Sequence, residues 1–131
     1  MDLANNPSRI YNLTSYQFEE VIAELFRKLN YEVTVTPKTR DGGIDIYLAN
    51  NNEIGAFLFI VQCKKYSRKH PVGVSVIREI VGIQTVEQYT GSIIVTSSYF
   101  TRVARNYIKE KKLEHIISLK DYSDICRLLK K

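Results

Sequence analysis

One carboxylate, one amide and one ammonium lie in this chain at a spacing that lets them meet. Asp45 closes the run Asp41-Gly42-Gly43-Ile44-Asp45, while Gln62 and Lys64 belong to Phe59-Ile60-Val61-Gln62-Cys63-Lys64-Lys65. If the two runs are strands joined by a turn from Ala49 to Gly55, the midpoint between Asp45 and Gln62 falls inside that turn. The hairpin then brings the two residues together. Side chains alternate along a strand, so Gln62 and Lys64 share one face and Cys63 points to the other. Such a trio suits a divalent cation and an oxyanion. Phosphodiester hydrolysis needs a metal on the scissile phosphate, a group that positions or deprotonates a water, and a cation for the charge that builds up on phosphorus. Asp45 is the natural hard-oxygen ligand, and the backbone carbonyl of Cys63 is a second donor that hard cations accept. Lys64 is the cation. Gln62 ligates weakly or orients water, because an amide cannot serve as a base near neutrality.

The elements that position these groups follow from pattern. Residues 1–12 read as an extended lead-in and residues 13–131 as a single domain. Thr14 with Gln17 has the form of a capping box, and Leu13 with Phe18 that of a hydrophobic staple. Phe18, Ile22, Leu25 and Leu29 then recur at helical spacing, up to Asn30 as a left-handed cap. Glu19 sits at the edge of that buried stripe and Glu20 shares its face with Glu24 and Arg27, so Glu19 is the better candidate to face the site. Strands are expected over Tyr31 to Thr36, Ile44 to Leu48 and Phe57 to Lys64. A helix over Val74 to Tyr89, a strand at Ser92 to Thr96, a helix over Thr101 to Lys111, a strand at Ile116 to Leu119 and a helix capped by Asp121 complete the chain. The third helix is expected to bury Val103, Ala104, Tyr107 and Ile108. The order α-β-β-β-α-β-α-β-α predicts an α/β fold with a central mixed β-sheet between helical layers.

Bulk properties set the class. The chain has 131 residues, 44% hydrophobic and 25% charged, which suits one packed domain rather than disorder. Its longest apolar runs are strand-length, so no membrane partner is expected. Cys63 and Cys126 form no CxxC pair and read as free thiols in a reducing cytoplasm. His70 and His115 lack metal-ligand spacing. The net charge of +5 and pI near 9.2 favour a polyanionic partner. Lys65, Arg68 and Lys69 follow the site directly, and Arg40 precedes it, so phosphate contact is expected there. The stripe Arg102, Arg105, Lys109 and Lys112 reads equally as a solvated face or a phosphate track. Asp41, beside two glycines, reads as a turn residue.

Three stretches together carry a family likeness: Phe18-Glu19-Glu20-Val21-Ile22-Ala23-Glu24-Leu25-Phe26, then Asp41-Gly42-Gly43-Ile44-Asp45, then Val61-Gln62-Cys63-Lys64. They resemble the Mrr-type restriction endonuclease catalytic domain of the PD-(D/E)XK nuclease superfamily. The likeness continues through Val95-Thr96-Ser97-Ser98-Tyr99-Phe100-Thr101 and Ala104. It implies a restriction-endonuclease-like three-layer α/β/α fold and a metal-dependent endodeoxyribonuclease using Mg²⁺, with Mn²⁺ as substitute. The active-site residues it implies are Glu19, Asp45, Gln62 and Lys64, with the metal on Asp45, the Cys63 carbonyl, and Gln62 or Glu19. Asn30 stands where the family usually has Gly. The implied partner is DNA, double-stranded or branched, and a homodimer would let two sites reach two strands. The alternatives are a nuclease of the Holliday-junction-resolvase kind, a non-catalytic DNA-binding module on the same fold, and a polyanion binder that uses only its charge.

Overall fold

A computed structural model describes residues 3–37 and 43–131. Helix α1 spans Ser15–Lys28 and begins as its sequence dictates. The Gln17 N–H donates to Thr14 Oγ1 at 3.1 Å and the Thr14 N–H donates to Gln17 Oε1 at 2.9 Å, so two orphan donors of the first turn are satisfied reciprocally. Its buried face is Phe18, Ile22, Ala23, Leu25 and Phe26. Asn30, at φ 72°, turns the chain out of the helix.

Strands β1 (Glu32–Val35), β2 (Ile46–Asn51) and β3 (Ala56–Lys64) form an antiparallel meander. Helix α2 (Val74–Glu87) crosses over to β4 (Gly91–Thr96), and α3 (Arg102–Glu110) crosses to β5 (Ile117–Lys120). Both crossovers give parallel pairs, as strand-helix-strand connections do. Helix α4 (Tyr122–Leu129) closes the chain, and the sheet order is β1-β2-β3-β4-β5. Residues of α1 and α4 share one core cluster with Ile46, Leu48, Val61 and Val95. Residues of α2 and α3 share another with Ile60, Ile94 and Ile117 on the opposite face. The expected three layers and mixed sheet are therefore present.

Four local expectations need correction. Pro7–Asn12 is a 3₁₀ helix rather than an extended lead-in, and Ile10 and Leu3 are buried in the α1–α4 core. Val103, 63% exposed, lies off the buried face of α3. The hairpin turn is shorter than Ala49 to Gly55, because pairing runs on to Asn51 opposite Ala56. Strand β2 starts at Ile46, not Ile44: Ile44 packs with α2 and α3, while Ile46 packs with α1. Residues two apart in a regular strand face the same way, so alternation breaks at the residue between them, Asp45.

Helix α4 carries a second capping box, in which the Asp124 N–H donates to Asp121 Oδ1 and the Asp121 N–H to Asp124 Oδ2. Burial works to raise the Asp124 carboxyl, but the bonds to Asp121 and the Arg127 and Lys120 charges outweigh it and hold it below its ordinary value. A carboxyl depressed by folding adds stability above its unfolded pKa of about 3.9, and that stability is lost as pH falls through the folded value. Acid melts should therefore separate Asp124→Asn from wild type at neutral pH and bring the two together as pH falls through the folded value.

Candidate active site

Strands β3, β4 and β5 are parallel to each other, so residues 65–70, 97–101 and 121–123 leave the sheet at the same end. Strand β2 runs the other way, and Asp45 therefore enters the sheet at that end. Its N–H donates to the Val61 carbonyl at 2.9 Å, and its own carbonyl accepts the Thr36 N–H at 2.9 Å. Regular pairing of β2 with β3 stops at Ile46 opposite Val61. The next outward N–H on that edge of β3, that of Cys63, donates to Asp45 Oδ2 at 2.6 Å. A side-chain carboxylate thus takes the place of a ladder carbonyl where the alternation breaks. Burial raises the Asp45 carboxyl above its usual range; the Cys63 N–H and the Lys64 ammonium pull it part of the way back. The Lys64 charge therefore lies within electrostatic reach of the Asp45 carboxyl.

Gln62 lies between Val61 and Cys63, the two β3 residues that Asp45 bonds, and is 3% exposed. Its Oε1 is buried without a hydrogen-bond partner among the described residues. A buried acceptor left unpaired is costly, so this oxygen suits a cation or a bridging water. Gly43 explains how the amide fits. At φ 102° it holds a conformation that L side chains rarely adopt, and a Cβ there would lie 2.7 Å from Gln62 Nε2. Gly43→Ala should therefore displace the Gln62 amide, lower stability by about 1–3 kcal/mol through backbone strain, and slow any reaction that uses Gln62. A thermal melt beside a rate measurement checks both.

The Cys63 side chain packs on the α1 side of the sheet. Burial, then the charges of Asp45 and Glu19, raise its thiol well above the ordinary value, so it stays neutral and unreactive. That effect also locates Glu19 within electrostatic reach of β3. Glu20 instead engages the Tyr16 hydroxyl, whose pKa this contact raises. Both glutamates are half-buried. Among the described residues no three His, Cys, Asp or Glu side chains cluster as a metal site. The donors gathered here are different: one carboxylate, one amide oxygen and the Cys63 carbonyl, which lies on the same edge of β3 as its N–H. An all-oxygen set of this kind fits a hard cation such as Mg²⁺.

The expected DNA-contacting cations fall into two groups. Lys69 and Arg102 are exposed and Lys65 is half-buried. Arg68 lies over the rings of Tyr11 and Tyr122 at 5.5 and 5.6 Å. Arg105 pairs with Asp121 at 3.1 Å and lies over Phe100, so it ties α3 to the start of α4. That pair is exposed, so the guanidinium also meets solvent. Arg40 and Asp41 lie outside the described residues. A wider hollow of about 780 Å³ between β2 and α2 has Tyr47, Ile83 and Val86 in its wall and Glu79 and Glu87 at its rim. Its acidic rim does not suit a polyanion.

Sequence reasoning assigned no role to Thr96, Ser97 and Ser98. All three are buried and their hydroxyls donate to backbone carbonyls of the segment that follows Gln62. The signal was available: consecutive hydroxyls ending an apolar strand need partners if they are buried.

Comparison with known proteins settles the family. The profile of the Mrr-type restriction endonuclease catalytic domain matches residues 10–129. This chain belongs to that family. The uncharacterised protein y4cE of Sinorhizobium fredii (strain NBRC 101917 / NGR234) is 27% identical over 99 residues, which cover 76% of this chain and 25% of that protein. Among solved structures, the MspJI restriction endonuclease in complex with a 27-mer oligonucleotide matches with a TM-score of 0.72 at 14% identity, over 97% of this chain and 30% of that one. The DNA modification-dependent restriction endonuclease AspBHI matches with a TM-score of 0.63 at 26% identity, over 98% of this chain and 32% of that one. The chain thus spans a third or less of the length of these relatives. The Mrr-type match begins at Ile10, the residue of the 3₁₀ helix that the core buries completely.

Proposed function

We propose that this chain is a metal-dependent endodeoxyribonuclease domain that hydrolyses DNA phosphodiester bonds. The observation that carries the reading is the buried, unpaired Gln62 oxygen beside the half-buried Asp45 carboxyl, which the Lys64 charge reaches. Membership of the restriction endonuclease family supports it, and so does the oligonucleotide bound by MspJI. Asp45, the Cys63 carbonyl and Gln62 would hold Mg²⁺, or Mn²⁺ in its place. A bound divalent ion supplies Lewis-acid polarisation of the phosphate and a more acidic water. Lys64 stabilises negative charge growing on the phosphoryl oxygens. Glu19 acts from the α1 side to hold water or a second ligand. Lys65, Arg68, Lys69, Arg102 and Arg105 receive the DNA backbone, and a homodimer presents two sites to two strands.

Linear duplex, supercoiled plasmid and a four-way junction, each incubated with Mg²⁺ or Mn²⁺, test the reading. Cutting that stops on chelation is expected. DNA binding without cutting under any divalent metal would overturn it, and marked preference for the junction would shift the substrate to branched DNA. Glu19→Ala should slow cutting more than Glu20→Ala, by about tenfold; the reverse order would remove Glu19 from the site.

A further inference from the structure

The segment that carries Lys64 out of the sheet is held by side-chain hydroxyls. Thr96 Oγ1 donates to the Lys64 carbonyl at 2.7 Å, Ser97 Oγ to the Tyr66 carbonyl at 2.7 Å, and Ser98 Oγ to the Arg68 carbonyl at 3.4 Å. Three successive residues leaving β4 thus meet every second carbonyl leaving β3. Thr96 and Ser97 are fully buried. The Thr96 hydroxyl also accepts the Ser98 N–H at 3.1 Å, which orients its own proton towards Lys64. The Lys64 carbonyl receives two further donors, the Tyr66 N–H at 3.1 Å and the Ser97 N–H at 3.3 Å. Ser97 is fixed in turn, because the Tyr11 hydroxyl donates to its carbonyl at 2.6 Å.

Loops that leave a strand usually find their partners in solvent. Here the buried donors are directed at the backbone of one candidate catalytic residue and at the stretch that follows it. We propose that Thr96 is a positioning residue for Lys64, and that Ser97 extends the same restraint to Tyr66. With its carbonyl held by three donors, Lys64 keeps its Cα fixed at the strand end. Only its side-chain rotamers remain to place the ammonium opposite Asp45. Catalytic geometry is sensitive at this scale, since a misplacement of about 1 Å can cost about a hundredfold in rate. The inference rests on the nuclease reading and adds to it a requirement outside the acidic and basic residues.

Thr96→Val keeps the shape of the side chain and removes both of its hydrogen bonds, whereas Thr96→Ser restores them. Single-turnover cleavage, DNA affinity without metal, thermal melts and amide hydrogen exchange would be measured on both variants and wild type. Thr96→Val should cut at least about tenfold more slowly with DNA affinity within about twofold. Its Tyr66 amide should exchange faster while those of Ile60 and Val61 keep wild-type protection, and Thr96→Ser should recover most of the rate. Cutting by Thr96→Val at the wild-type rate, or equal failure of the serine variant, would overturn the inference while leaving the nuclease reading intact. A wild-type chain that never cuts would overturn both. Should Thr96→Val fail to fold, Ser97→Ala decides by the same measurements: slower cutting with unchanged DNA affinity supports the restraint, and wild-type cutting overturns it.

Discussion

Lys64→Ala should reduce DNA cleavage by at least about a hundredfold while leaving most DNA affinity in place. The rate effect follows from position. The Lys64 charge acts on the Asp45 carboxyl, so on the proposed reading it is a cation available to the charge that develops on a phosphate held there. Removing one preorganised group of this kind costs about 10²–10³ in rate. Affinity behaves differently, because phosphate contacts are spread over many cations and the salt slope should fall by only about one unit for each one lost. Cleavage time courses and salt titrations on the same preparations separate the two effects. A mutant that cuts normally would remove Lys64 from the chemistry. Lys64→Arg should not restore full activity, because a planar guanidinium presents its charge in a different geometry.

Asp45→Asn should be nearly as damaging to cleavage and at least neutral for stability. Asparagine retains an oxygen that can accept the Cys63 N–H, so the joint between β2 and β3 survives. It loses the charge that a hard cation requires. Burial is the largest influence on the wild-type carboxyl and raises its pKa above the unfolded value. A carboxyl raised by folding favours the native state below its unfolded pKa, and that advantage is lost as pH rises through the folded value. With a chelator present, wild type and Asp45→Asn should differ least in acid, and the variant should gain relative stability as the pH approaches neutrality. Cleavage assays and melts at several pH values check the pair of effects. A variant that is less stable at neutral pH would show that the carboxylate is held for structural reasons.

The parts of this molecule that were legible in its sequence are those set by local rules. Thr14 with Gln17 announced the start of α1, and Asp121 that of α4, because a cap and its acceptor lie within one turn. The approach of Asp45 to β3 followed from a hairpin whose turn is local as well, with Asn52 Oδ1 accepting the Ile54 and Gly55 N–H groups. The preference for Glu19 over Glu20 rests on helical periodicity alone, and the two are equally half-buried. What escaped depends on distant partners. Alternation gave no notice that Ile44 and Ile46 would face opposite cores, since both are isoleucines in a stretch that reads as one strand. Arg105 resembled any other member of a basic stripe until Asp121 was placed beside it. The hydroxyls of Thr96 to Ser98 serve carbonyls some thirty residues earlier in the chain, and backbone acceptors leave no trace in residue type.

Strand β3 occupies the middle of the sheet, and its stretch Ala56-Phe57-Leu58-Phe59-Ile60-Val61 contains no charge and no proline. Its edge towards β2 is covered as soon as the hairpin closes, a step of microseconds. The edge towards β4 stays bare until α2 and β4 have been synthesised and the crossover has docked, since parallel pairing is non-local and slow. A nascent chain therefore presents an uncovered, β-prone, apolar edge from the emergence of β3 until β4 has followed and docked. The hazard of self-association belongs to biogenesis, and yield on expression will be governed by how quickly that second edge is sealed rather than by the stability of the finished fold.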